Sequence, residues 1–224
     1  EESEKTGNYV YFGDVSKQFA FEIGANFVMG PLVNAEERTV LFEIFKVYSD
    51  GFKPKSQFED ADDPESDIGK AFIAKDKLNG ILRKKFIEAE ELIKNDKWTD
   101  KYGDEQCVLR GLMENDDVFD NDGEYGLYDK VDHIISMIWA AYETSSVSLN
   151  NLVYVMHKYP EETENVRTSI MNDPELSNPE TVFSMDMLNG CNELGNFINE
   201  SQRIYGFNTL LTTNVSNGNG LDFG

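Results

Sequence analysis

Asp129-Lys130-Val131-Asp132-His133-Ile134-Ile135-Ser136-Met137-Ile138-Trp139-Ala140-Ala141-Tyr142-Glu143-Thr144-Ser145-Ser146-Val147-Ser148-Leu149-Asn150-Asn151-Leu152-Val153-Tyr154-Val155-Met156-His157 reads as one long helix, closed by Lys158-Tyr159-Pro160. At 1.5 Å per residue such a helix runs roughly 40 Å, long enough to cross a whole domain. Apolar residues stand at nearly every angle around its first half, which implies burial on most sides. Ile134, Ile135, Ile138, Trp139, Leu152, Val153 and Met156 are therefore expected among the most enclosed residues. The Glu143-Thr144-Ser145-Ser146 step puts a carboxylate and three hydroxyls in the middle of this helix. Burying them is costly unless they are paired or used.

Working outward, the chain reads as mostly helical. Val15 to Met29 forms a helix that stops at Gly30-Pro31, a strong breaker pair. Asn34 caps the next helix, Ala35 to Tyr48, in which Val40, Leu41, Ile44, Phe45 and Tyr48 recur at helical spacing. Gly51 to Ser66 holds several acids and two prolines and reads as an exposed loop or flap. A long amphipathic helix follows from Ile68 to about Asn95, with Phe72, Leu78, Ile81, Leu82, Phe86, Leu92 and Ile93 as its apolar side. In Asn115 to Asp129, Asp120, Asp122 and Gly123 stand at calcium-loop spacing. The first ligand position would be Val118, however, and the last is Asp129 instead of Glu. That segment reads as an acidic linker.

Ala140-Ala141-Tyr142-Glu143-Thr144-Ser145 resembles the Ala/Gly-Gly-x-Asp/Glu-Thr-Thr/Ser signature in the central helix of the cytochrome P450 superfamily, the haem-thiolate monooxygenases. His157-Lys158-Tyr159-Pro160-Glu161-Glu162 looks like the family's turn at the end of that helix, and Glu200-Ser201-Gln202-Arg203 matches its Glu-x-x-Arg motif. Phe19 to Gly30 is similar to the helix that precedes the family's substrate-covering region, and the order of the pieces agrees from about residue 8 to about residue 216. The resemblance implies a mainly α, partial cytochrome P450-like fold, with residues 1–224 forming a single domain around a long central helix. It gives the Gly51–Ser66 loop and its flanking helices the role of a lid. Glu143 and Thr144 would relay protons to an oxygen species wherever a haem is supplied. Glu200 and Arg203 are expected to be buried and paired near the base of the fold, which would make Arg203→Ala cost roughly 3–5 kcal/mol.

The pattern also departs from the family. The Phe-x-x-Gly-x-x-x-Cys-x-Gly loop that supplies the iron ligand is not found, nor is the Trp-x-x-x-Arg helix that grips a haem propionate. Cys107 and Cys191 both precede Glu200, in unlike contexts, and neither Trp98 nor Trp139 sits in the propionate motif. Ala141 stands where the family usually has Gly, and its methyl narrows the approach to haem and oxygen. Gly206 follows Tyr205 where Pro is usual. His133 lies 11 residues before Thr144, about three turns away, and cannot ligate an iron placed there. No metal site is expected.

With 42 acidic and 20 basic residues, the net charge is -22. That repels nucleic acid and anionic membrane surfaces and favours a protein partner with a basic surface or high-salt surroundings, where the acids otherwise form a well-solvated surface. No apolar run approaches the about 18 residues a transmembrane helix needs. The chain opens at Glu1 with no signal peptide, which reads as a processed, truncated or partial chain. Many eukaryotic members of the resembled family are membrane-anchored, so the compartment stays open. Asn199 and Asn214 head glycosylation sequons that count only with a secretory signal.

Two functions follow as expectations. One is a non-catalytic structural or accessory subunit of a larger assembly, with no cofactor of its own. The other is the middle of a haem-dependent monooxygenase that oxidises a small hydrophobic substrate.

Overall fold

A computed structural model describes residues 11–114 and 126–206. They are helical, with no strand among the described residues. Two compact units divide the chain, Glu1–Ser146 and Val147–Gly224. The calcium-loop pattern at Asp120–Gly123 and the sequon at Asn214 lie outside the described residues.

In the first unit, α1 (Phe12–Met29) ends on Gly30, whose φ of 54° is the left-handed region that favours glycine. A side chain there would also strike the Cβ of Cys107 at 2.7 Å. One turn later Asn34 opens α2 (Ala35–Asp50) with a reciprocal capping box. The Glu37 N–H donates to the Asn34 side chain, and the Asn34 N–H donates to the Glu37 carboxylate. Lys85 then grips the other Glu37 oxygen at 2.7 Å, and Arg38 ties the helix to Glu22 at 2.6 Å.

The expected loop after Gly51 is mostly exposed and is knitted by its own polar groups. Ser66 donates to the Asp60 and Asp63 carbonyls, while Glu59 accepts from the Asp67 N–H. These bonds set up the Ser66 cap of α3 (Asp67–Lys94). Leu78, Leu82 and Phe86 of α3 are buried, and Ala71, Ala74 and Ala89 extend the buried row towards the two ends of the helix. Phe72 does not join them and is 54% exposed, because it sits one position round the helix from the Ala71 row. Two short helices, α4 (Trp98–Tyr102) and α5 (Val108–Glu114), bring Trp98 and Leu109 into the same core.

The central helix α6 (Gly126–Lys158) is longer at both ends than the sequence implied. Val131, Ile134, Ile135, Ile138, Tyr142 and Ser146 form its buried stripe. His133, Ser136 and Ala140 are exposed, so the helix is enclosed on one side and not on most. The reason is its spacing: the inward residues recur every three or four positions, the width of a single face. Trp139 and Leu152 are half-buried, and Val153 and Met156 are exposed, against expectation; beyond Ser146 only Val155 of α6 is buried. The core this stripe closes is aromatic. Phe21 packs at a tilt, 5.3 Å from both Phe42 and Phe45, and all three rings meet Tyr142 within 6.5 Å.

The second unit takes the end of α6 with α7 (Pro160–Asn172), α8 (Met185–Gly190) and α9 (Asn192–Ile204). Its packing is thinner: Val155, Leu176, Cys191 and Ser201 are its buried residues among those described.

Candidate functional site

Tyr142 fixes the polar step of α6 in place. Its ring fills the aromatic core, and its hydroxyl meets Ser49 Oγ at 2.7 Å. Burial pushes the phenol pKa well above its ordinary value, and the neighbouring Glu143 carboxylate pushes the same way. Because Tyr142 points inward, Glu143 and Thr144 are carried round to half-buried positions. Thr144 Oγ1 donates to the Ala140 carbonyl at 2.8 Å, and Ser146 Oγ donates to the Glu143 carbonyl at 3.0 Å. The helix itself thus takes up two of the three hydroxyls of the step, and the third, on Ser145, is exposed. Ala140 and Thr144 share one face at i, i+4, and Ala140 is exposed.

The Ala141 methyl has a neighbour within the fold. A Cβ built on Gly24 of α1 would lie 3.1 Å from it. The residue expected to narrow the approach to a cofactor therefore sits at a close helix crossing, with Gly24 supplying the missing volume. Neither residue's role at that crossing was legible in sequence, because a lone small residue in a helix carries no mark of what it touches.

Glu200 and Arg203 are paired but not buried. Arg203 Nε and Nη2 donate to the two carboxylate oxygens at 2.8 and 2.7 Å, a bidentate bridge that holds Glu200 below the usual carboxylate pKa range. The side chains stay 70% and 55% exposed. The expected burial fails because the pair closes within a single turn of α9 and both side chains stay open to solvent, although Glu200 also borders a shallow groove with Val155, Tyr159 and Glu162. What does anchor the end of α9 is a cluster that sequence reasoning missed. Asn151 of α6 donates to the Tyr205 carbonyl at 2.7 Å, and Lys158 Nζ donates to the Tyr205 hydroxyl at 2.5 Å. Lys158 also lies over the rings of Tyr154, Tyr159 and Tyr205. The signal available was three tyrosines near one lysine, a pattern too common to single out.

Both cysteines are buried and free. Cys107 lies against Gly30, accepts from the Arg110 N–H, and has its thiol pKa pushed up by burial. Cys191 caps the α8–α9 junction. A thiolate ligand needs a lowered pKa and an open coordination position. Burial pushes the Cys107 thiol the opposite way, and Cys191 is enclosed by packing with no open position beside it, so neither fits the thiolate ligand of a haem. No cluster of three or more His, Cys, Asp or Glu side chains able to hold a metal occurs among the described residues. None of the described helices is long and apolar enough to cross a membrane. In the second unit, Leu152, Met156, Val166, Ile170, Leu194 and Phe197 line an apolar groove of about 240 Å³.

A helical body organised on one long helix with an acid–alcohol step, followed by a Glu-x-x-Arg helix, is the architecture expected of a haem-thiolate monooxygenase. The family model for Cytochrome P450 matches residues 32–220, and the chain belongs to that family. No curated protein matches it. Intact members of the family carry haem.

Proposed function

We propose that these 224 residues act as a haem-free cytochrome P450-type body with a structural or accessory role, contacting a protein partner that offers a basic surface. The carrying observation is the placement of the thiols: Cys107 and Cys191 are both buried in packing, and burial pushes the Cys107 thiol pKa up, away from thiolate. The net charge of -22 supports a basic partner. Titrating the purified chain with haem, then reducing it and adding carbon monoxide, tests the reading. The expected result is a helical spectrum without the Soret band that gives the family its name; that band would overturn it.

A second reading rests on the acid–alcohol step. Glu143 and Thr144 keep the family's residue types on a half-buried stretch beside the exposed Ala140. This supports their being the proton-relaying wall of a haem-dependent monooxygenase that oxidises a small hydrophobic substrate, the thiolate coming from elsewhere in a longer protein. The mass of the natural protein separates the two. A value near 25.5 kDa favours the accessory role, and a much larger one favours the enzyme.

A further inference from the structure

The outer face of the α2–α3 hairpin departs from the rest of this acidic chain. Between residues 70 and 85 stand Lys70, Lys75, Lys77, Arg83, Lys84 and Lys85 against the single acid Asp76, in a chain whose net charge is -22. Three of these lysines are paired within the fold: Lys70 with Glu65, Lys75 with Asp132 and Lys85 with Glu37. Arg83 lies over the Tyr128 ring. Lys77 and Lys84 are exposed and have no anionic partner among the described residues, and they stand seven residues apart on one face of α3.

Apolar residues follow the same repeat. Ile73 and Ile87 are 43% and 40% exposed, and Val40 and Val47 across the hairpin are 56% and 40% exposed. The helices run antiparallel, with Glu37 meeting Lys85 near one end and Gly51 beside Ala71 at the other. Ile44, Val47, Ile73 and Ala74 line a groove of about 250 Å³ between them, together with Lys70, Lys77 and Glu43, whose carboxylate is bridged to Lys46. Gly80 lies midway between Ile73 and Ile87. A Cβ there would meet nothing within 4 Å, so no neighbour in the described fold calls for glycine, a residue that weakens a helix interior. A bare backbone on an exposed helix face does suit close approach by another helix.

We propose that this locally basic face is a docking site for an amphipathic helix of a second protein, distinct from the basic-surfaced partner that the overall charge favours, with an apolar seam flanked by acidic residues. The seven-residue spacing of Ile73, Gly80 and Ile87 matches the seam of a packed helix, and the unpaired Lys77 and Lys84 select its flanking charge. From Ile73 to Ile87 is about 21 Å of helix, so the partner segment spans about four turns. The chain's overall negative charge does not forbid the contact, because salt screens charges beyond about 8 Å under physiological conditions. A membrane fits less well, because a bilayer offers no ridge to enter a groove. The site is independent of whether a haem is ever supplied.

A synthetic helical peptide of about three heptads, with leucine at a and d and glutamate at e and g, serves as probe, and a version with lysine at e and g as control. Fluorescence anisotropy with the full chain is expected to show the glutamate peptide binding at least about tenfold more tightly than the lysine peptide. Lys77→Glu with Lys84→Glu is expected to remove that preference. Gly80→Leu is expected to block binding while the melting temperature holds or rises, since leucine is the better helix former. Equal affinity for both peptides, no binding of either, or unchanged binding by a folded Gly80→Leu chain overturns the proposal. So does association with phosphatidylserine vesicles in place of the peptide, lost in the double lysine variant.

Discussion

At the scale of single residues, burial decides which motif members matter to stability. Arg203→Ala removes an exposed pair, whose attraction water and salt largely screen. The chemical denaturation curve of that variant should therefore overlay the parent's; a clearly lower midpoint would mean that the pair is covered in solution. Tyr142 is the opposite case. Tyr142→Phe keeps the ring and strands Ser49, at a cost of about 0.5–1.5 kcal/mol. Its pH dependence has a definite sign. An unfolded phenol ionises near pH 10, whereas the folded one is raised above that value. Its contribution is thus fully present below about pH 10 and is lost as pH rises further. Melting curves of Tyr142→Phe at alkaline pH should fall less steeply than those of the parent, and parallel curves would contradict this. The Glu143–Thr144 step was legible as residue types in sequence, but the direction of its hydroxyls was not, because back-bonding to a helix carbonyl leaves no trace in a motif.

At the scale of elements, helix starts and stops were the most legible part of the sequence. Asn34, Gly30-Pro31 and the α3 period act through local chemistry that the chain states directly. What stayed hidden was which face each helix turns inward. Val40, Phe72, Val153 and Met156 all looked like core and are exposed, since hydrophobicity alone does not say where a neighbour stands. Two substitutions probe the elements. Asn34→Ala breaks the capping box and should cost about 0.5–2 kcal/mol by thermal melting. It also loosens Glu37, whose carboxyl Lys85 holds below the usual range. That contribution is present above the unfolded carboxyl's pKa of about 4.3 and is lost as pH falls through the lower folded value. Gly24→Val forces a branched side chain into the α1–α6 crossing and should cost about 1–3 kcal/mol. A melting temperature equal to the parent's would mean that the two helices are not in close contact there.

At the scale of the whole molecule, charge is the main influence on stability outside the core. A net -22 sets like charges against one another across the surface. Raising sodium chloride from a few millimolar to physiological levels should raise the melting temperature by screening that repulsion, and a salt-independent melt would mean that the acids are locally compensated. The family and its mainly helical character were readable from ordered motifs, whereas the division at Ser146 was not, because it falls inside one unbroken helix. The inward stripe of α6 has a further consequence, for the order in which the protein is made. The wall against which Phe21, Phe45 and Leu82 pack comes from residues 131 to 142, well after Leu109, the last earlier member of that core. A ribosome adding about 5–20 residues per second needs a few seconds to travel from Leu109 to Tyr142. For that interval the nascent chain carries an open aromatic trough, which is when a holdase chaperone has most to bind and when a pause in translation would be most damaging.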